Sequence, residues 1–208
     1  MEHLILLTTI AAINLAAVIS PGPDFILAVR NSLRYSRKTG IYTAIGFGLG
    51  ISVHILYCMA GLALIISKSI LLFSIIKYLG AVYLIYIGIK SITAKSSKLK
   101  IGEIQKKQDI SPLSAIKMGF LTNILNPKAT LFYLGLFTFV IQPDTPLLVL
   151  TAASSIMVAT IIGWFSLVAI FFGNKHIRKA YEKIQGTVNK TLGGFLILLG
   201  INVAIARE

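Results

Sequence analysis

Two ionisable residues of this 208-residue chain stand just after prolines inside apolar stretches. One is in Ser20-Pro21-Gly22-Pro23-Asp24, the other in Asn123-Ile124-Leu125-Asn126-Pro127-Lys128. Asp24 is the only one of seven acids within an apolar segment, and Lys128 is read as the only base set well inside one. A carboxyl in such a place could carry a proton, charged in one state and neutral in another, or bind an ammonium group. Lys128 could pair with Asp24 or receive a carboxylate. An Asp or Lys at the centre of a membrane helix costs about 2.5–3.5 kcal/mol on insertion scales, so two such costs invite a functional reading. Blander readings stand beside it. Asp24 could cap a half-helix starting near Phe25, or lie in water if the first segment ends early. Lys128 could snorkel to an interface.

Asn123 and Asn126 bring amide donors and acceptors to the second motif, either to bind a solute or only to satisfy loose backbone groups. His54, near the middle of the second apolar segment, could relay protons or serve as an interhelical hydrogen-bond partner; Asn14 is similarly open. The single cysteine, Cys58, excludes an intrachain disulfide, a dithiol relay and a Cys-ligated metal cluster. No nucleophile converges with a base, so no catalytic residue, cofactor or enzyme activity is expected. A metal-cation pathway would need several ligands in the membrane, and only Asp24, His54 and Cys58 are on offer.

The elements that must carry these residues are apolar helices. Hydrophobic residues make up 56% of the chain and charged residues only 13%, against about 25% in a soluble domain. Six apolar segments run at about 4–29, 40–66, 70–89, 113–140, 147–172 and 191–206; five reach or nearly reach the length needed to cross a bilayer, and the last is short unless it extends back toward Val188. The first and fourth exceed a simple crossing. Proline removes a helical N–H and displaces the carbonyl four residues back, so Pro21, Gly22 and Pro23 should break the first, and Pro127 the fourth. Unwound backbone survives in hydrocarbon only where protein or a water-filled cavity satisfies it, and paired breaks point to a carrier's binding site. Gly46 and Gly50 give the second segment a small-residue face for close packing. Tyr78, Tyr83 and Tyr86 read as interface anchors or packing.

The formal net charge of +13 is distributed between the segments. Arg30, Arg34, Arg37 and Lys38 are assigned to the first connection, and Lys90 through Lys117 to the third. Lys175 through Lys190 fall in the fifth, whereas the second holds only Lys68 and Lys77 and the fourth none. Basic loops lie on the cytoplasmic side, so both termini are expected outside. The basic run at Lys175 to Lys183 suits anionic lipid headgroups, and no nucleic-acid motif is present. Met1-Glu2-His3 lacks a positive leader, so the first segment is expected to be a retained span. The expected architecture is all-α: one transmembrane domain, 1–208, with six spans. Repeat one covers about 1–90, a cytoplasmic linker about 91–111, and repeat two about 112–208. Three spans per half make the repeats inverted.

With these residues in view, the chain resembles the LysE/RhtB family of bacterial amino-acid exporters over nearly its full length. The resemblance is carried by Pro21-Gly22-Pro23-Asp24, by Gly46 and Gly50, and by the run from Gly80 to Gly88. Gly119, Asn123 and Asn126-Pro127-Lys128 complete it. It implies a multi-pass inner-membrane carrier that moves amino acids or related small metabolites out of the cell, coupled to protons and often dimeric, with no prosthetic group. On that basis Asp24, Lys128, Asn123 and Asn126 are the expected substrate or proton-coupling residues. The lack of a further intramembrane acid favours a neutral amino acid. Another small polar solute, or a metal cation, is the alternative cargo.

Overall fold

Proline decides where two of the apolar stretches stop being helical. A computed structural model describes residues 1–20, 22–68, 70–93, 107–140, 145–172 and 174–205. Among them run α1 (Glu2–Ile19), α2 (Pro23–Arg34), α3 (Arg37–Lys68), α4 (Ile70–Thr93), α5 (Pro112–Ile124), α6 (Pro127–Val140), α7 (Leu147–Phe171) and α8 (Lys175–Ile205). No strand is present among the described residues. Pro21, most of the expected linker and the loop holding Asp144 lie outside them.

The first apolar segment is α1 plus α2. Ser20 (φ −63°, ψ 125°) and Gly22 (φ −159°, ψ −171°) are both extended, the geometry forced on a residue that precedes proline. Pro23 then opens α2 at the first helical position, where its missing N–H leaves no bond unmade. The fourth segment is α5 plus α6. Ser111 caps α5, its hydroxyl accepting from Ser114 N–H at 3.2 Å, with Pro112 at the first position. After Leu125 and Asn126, Pro127 restarts the helix. Asn126 Oδ1 accepts from Lys128 N–H at 3.1 Å, a side-chain cap on the second helical residue.

Among the described residues, four stretches are long and apolar enough to cross a membrane: Glu2–Ile19, Arg37–Gly61, Leu147–Phe171 and Lys183–Ile205. The half-helices α5 and α6, of 13 and 14 residues, are each too short to do so alone. Helix α3 is the hub, packed against α5, α7, α2 and α6. Its Ala44, Phe47, Ile51, Ile55 and Cys58 recur at helical spacing and are buried in one cluster with Met157, Ile161 and Phe165 of α7 and Phe132, Leu136 and Phe137 of α6. Outward-facing Leu4, Leu49, Leu56, Leu148, Leu167 and Leu198 are exposed, so these helices are apolar on both faces, as a lipid-embedded bundle requires.

Glycine sets the closest contact. A Cβ on Gly46 would strike the Ile116 carbonyl of α5, and one on Gly119 would strike the Thr43 carbonyl of α3. The α3 and α5 backbones therefore touch, which is how the Gly46 face is used. Helix α2 is tied down by Asn31 Nδ2 donating to Thr43 Oγ1 at 3.0 Å and by Ser32 Oγ donating to the Ala169 carbonyl. Phe25 lodges against Phe172 and Tyr181, each ring centroid at 5.2 Å.

Several expected boundaries move. The last segment begins at Lys175 rather than near 191, because a helix with a charged face extends beyond its apolar stretch. For the same reason Arg30 and Arg34 lie on α2 and Lys117 on α5, not in connections. Residues 91–93 close α4 instead of opening the linker. Lys77 is two turns into α4 and buried, so it does not belong to the second connection, and Lys128 is not the sole base inside an apolar segment.

Candidate functional site

The two helix breaks meet. Asp24 is the second residue of α2 and Lys128 the second residue of α6, each following a proline at the first position. Asp24 is buried, 8% exposed, and its Oδ2 accepts from Asn123 Nδ2 at 2.7 Å across the gap between α2 and the end of α5. Its Oδ1 has no hydrogen-bond partner among the described residues. Asp24 is not the cap of α2: Gly22 holds that position without a side chain, because Pro23 can start the helix one residue earlier. Burial among helices also removes the reading in which Asp24 is solvated.

Lys128 reaches toward the other break. Its Nζ lies 3.5 Å from the Ser20 carbonyl and beside Gly22, so the side chain crosses to the α1–α2 junction rather than snorkelling outward. The ammonium and the Asp24 carboxylate line the same cavity. Asn126, buried at the cap of α6, lines it as well. These groups wall a cavity of about 50 Å³, several times the roughly 10–15 Å³ that one water needs. Ser20, Gly22, Asp24, Asn123, Asn126 and Lys128 supply its polar side, and Phe25, Phe132, Tyr133, Ile161 and Phe165 its apolar side.

Of the expected residues, Gly22, Asp24, Asn123, Asn126 and Lys128 converge on this cavity, while Pro23 and Pro127 shape the helix starts behind it. His54 does not line it. It is buried on α3, with Nε2 3.2 Å from the Asn123 carbonyl and Nδ1 2.6 Å from the Tyr57 hydroxyl. Asp24, His54 and Cys58 do not gather, and no group of three His, Cys, Asp or Glu able to hold a metal ion occurs among the described residues. Tyr133 gains a place that sequence reasoning did not give it, and Asn14, left open between a relay and an interhelical hydrogen-bond partner, is such a partner. Tyr133 donates to Asn14 Oδ1 at 2.9 Å, and Asn14 Nδ2 donates to the Met157 carbonyl at 3.2 Å, joining α6, α1 and α7 beside the cavity. A buried tyrosine hydroxyl needs a partner, and Asn14 is the one amide side chain in the first apolar segment; that pairing was the available signal.

The fold and this buried polar junction define a polytopic helical membrane protein with two interrupted helices at its centre. Comparison with known proteins then places it. The family model described as LysE type translocator matches residues 15–207, and the chain belongs to that family. It is similar to the uncharacterized membrane protein YrhP of Bacillus subtilis (strain 168), 35% identical over 93% of this chain and 98% of YrhP. It is also similar to the threonine efflux protein of Escherichia coli (strain K12), 26% identical over 98% of this chain and all of that protein. The uncharacterized membrane protein YahN of Escherichia coli (strain K12) is 27% identical over 85% of this chain and 79% of YahN. No solved structure matches the chain. Family and relatives make it a bacterial membrane protein of the small-molecule exporter type.

Proposed function

We infer that this protein exports a small neutral amino acid by exchange for protons and performs no covalent chemistry. The carrying observation is the convergence of two proline-broken helices that each present a charge of opposite sign, Asp24 and Lys128, to one cavity. An amino acid is a zwitterion, and the cavity has a complementary end for each of its charges. Asp24, with Oδ1 unpaired, takes the ammonium or a proton in its place. Lys128 stands in the first turn of α6, where the helix end is already positive, so this corner attracts a carboxylate. Asn123 orients the Asp24 carboxylate, and Asn126 fixes the helix start that carries Lys128. The apolar wall of Phe25, Phe132 and Phe165 suits an uncharged side chain. Threonine is the cargo named for the Escherichia coli relative.

Six spans in two inverted repeats fit this reading. Helices α1–α2, α3 and α4 would correspond to α5–α6, α7 and α8; some contacts match this, α1 with α7 as α5 with α3 and α2 with α7 as α6 with α3, while α2 with α3 and α4 with α6 have no such mate. Between α4 and α8 the pairing is reciprocal: a Cβ on Gly88 would meet Gly193 and Ile197, and one on Gly193 would meet Gly88 and Ile92. Rocking one repeat on the other would open the cavity to each side in turn. Both termini lie outside in this orientation. The test is an untargeted profile of extracellular metabolites from cells expressing the wild-type protein or Asp24→Asn at equal membrane levels, with and without an uncoupler. Accumulation of a neutral amino acid, lost in the variant and on uncoupling, is expected. Undiminished, gradient-dependent export by the variant removes Asp24 from the mechanism, and metal tolerance without an amino-acid effect favours a cation cargo.

A further inference from the structure

Proline at 127 creates a problem one turn earlier, and α3 solves it. In an unbroken helix the N–H of residue 127 would donate to the carbonyl of residue 123, and proline has no N–H. The Asn123 carbonyl accepts instead from Asn126 N–H at 3.0 Å and from His54 Nε2 at 3.2 Å. Because a carbonyl only accepts, Nε2 carries the proton; in the neutral ring Nδ1 is then the acceptor for the Tyr57 hydroxyl, at 2.6 Å. One turn before His54 on the same face of α3, Gly50 lies against the Asn123 side chain: a Cβ there would stand 2.6 Å from Oδ1 and 2.9 Å from Cβ of Asn123. The ring of Tyr133 stacks on His54 from α6, with centroids 6.1 Å apart and planes at 18°.

We propose that Gly50 and His54 form a cradle that holds Asn123 by side chain and carbonyl, making both positioning residues that act on Asp24 through Asn123. This rests on the exporter reading only in that Asp24 is taken as the substrate-binding acid. His54 is then not a link in a proton path. Its contact toward Asp24 runs through a backbone carbonyl and a side-chain amide, neither of which takes up and releases protons as a relay must.

Two measurements test the cradle, one of them independent of transport. In 15N-histidine-labelled protein in lipid nanodiscs, the His54 signal, identified by its absence from His54→Gln, is expected to report the Nε2–H tautomer. The Nδ1–H tautomer, or a ring averaging between the two, overturns the proposal. In L-threonine efflux, His54→Gln keeps an N–H near the position of Nε2 but cannot relay, and is expected to stay within about threefold of wild type in KM and rate. His54→Leu and Gly50→Ala are expected to raise KM about five- to tenfold, the scale of one lost hydrogen bond. In an Asn123→Ala background, His54→Leu should add nothing further to KM. His54→Gln as inactive as His54→Leu, or additive effects in that background, overturns the cradle. Failure of the exporter reading looks different: wild-type protein exports no amino acid while the tautomer signal stays as expected.

Discussion

The two helix breaks use the same device and arrive at opposite surroundings. Both restart with proline at the first position and a charged residue at the second. At the α1–α2 break the cap is Gly22, which offers no side chain, and the charge is an acid, which a helix N-terminus stabilises. At the α5–α6 break Asn126 caps the helix by accepting from Lys128 N–H, and the charge is a base, which the same helix end disfavours. Asp24 also has a donor aimed at it, Asn123 Nδ2 at 2.7 Å, whereas the Lys128 ammonium makes a long hydrogen bond to the Ser20 carbonyl, at 3.5 Å. One break is thus an acid already satisfied at one oxygen. The other is a concentration of positive charge, an ammonium at a helix N-terminus. On the proposed reading, these unequal surroundings keep the acid and the base from closing on each other and leave both for a solute.

Exchanging the charges breaks the comparison most severely. If only the presence of one acid and one base matters, the double variant Asp24→Lys with Lys128→Asp should recover what each single change loses. It should not recover, because the Asn123 amide, whose Nδ2 is aimed at residue 24, would have to turn over to offer Oδ1 to an ammonium there. Each single variant and the double are expected to lose about 100-fold or more in efflux, as follows when a buried charge loses a charge-assisted hydrogen bond. Efflux rates normalised to protein in the membrane provide the measure, and recovery in the double variant shows the two breaks to be interchangeable.

Removing the base alone probes the weaker half. Lys128→Met keeps most of the side-chain volume and the positive end of α6, but not the ammonium. A rise in KM of about tenfold is expected for amino acids, with little change for an analogue whose carboxylate is amidated. An equal effect on both compounds would show that Lys128 serves the fold of the cavity and not carboxylate recognition.

Much of this was legible because proline writes breaks plainly and apolar segments leave charges conspicuous. Pro23 and Pro127 located both junctions, and Asp24, Asn123, Asn126 and Lys128 converge where paired breaks suggested. Less legible were features fixed by contacts between segments. Nothing in the local pattern says that Asn123 rather than Lys128 is the hydrogen-bonding partner of Asp24, that His54 donates to the Asn123 carbonyl, or that Tyr133 finds Asn14. Hydropathy also misjudged lengths. The N-terminal part of α8 is helical with a charged face, so an apolar count starts it about four turns late. Lys77 was assigned to the second connection although it falls inside the third apolar segment, and it is buried on α4.

The caps give the finest discrimination between the breaks. Asn126→Ala removes the side-chain acceptor of Lys128 N–H and is expected to cost about 1 kcal/mol of stability, as loss of an N-cap usually does. Gly22 has no side chain to lose, and its backbone, at φ −159°, is open to any residue. A Cβ there would meet only the end of Lys128, at 3.7 Å, an ordinary contact. Gly22→Ala should therefore change stability by no more than a few tenths of a kcal/mol, the usual Gly–Ala difference outside special backbone geometry. Thermal unfolding of the two variants in the same detergent compares them directly. A Gly22→Ala protein less stable than Asn126→Ala would mean that the first junction needs its glycine for an approach closer than the distance to Lys128 allows, and the two breaks would then differ in packing as well as in charge.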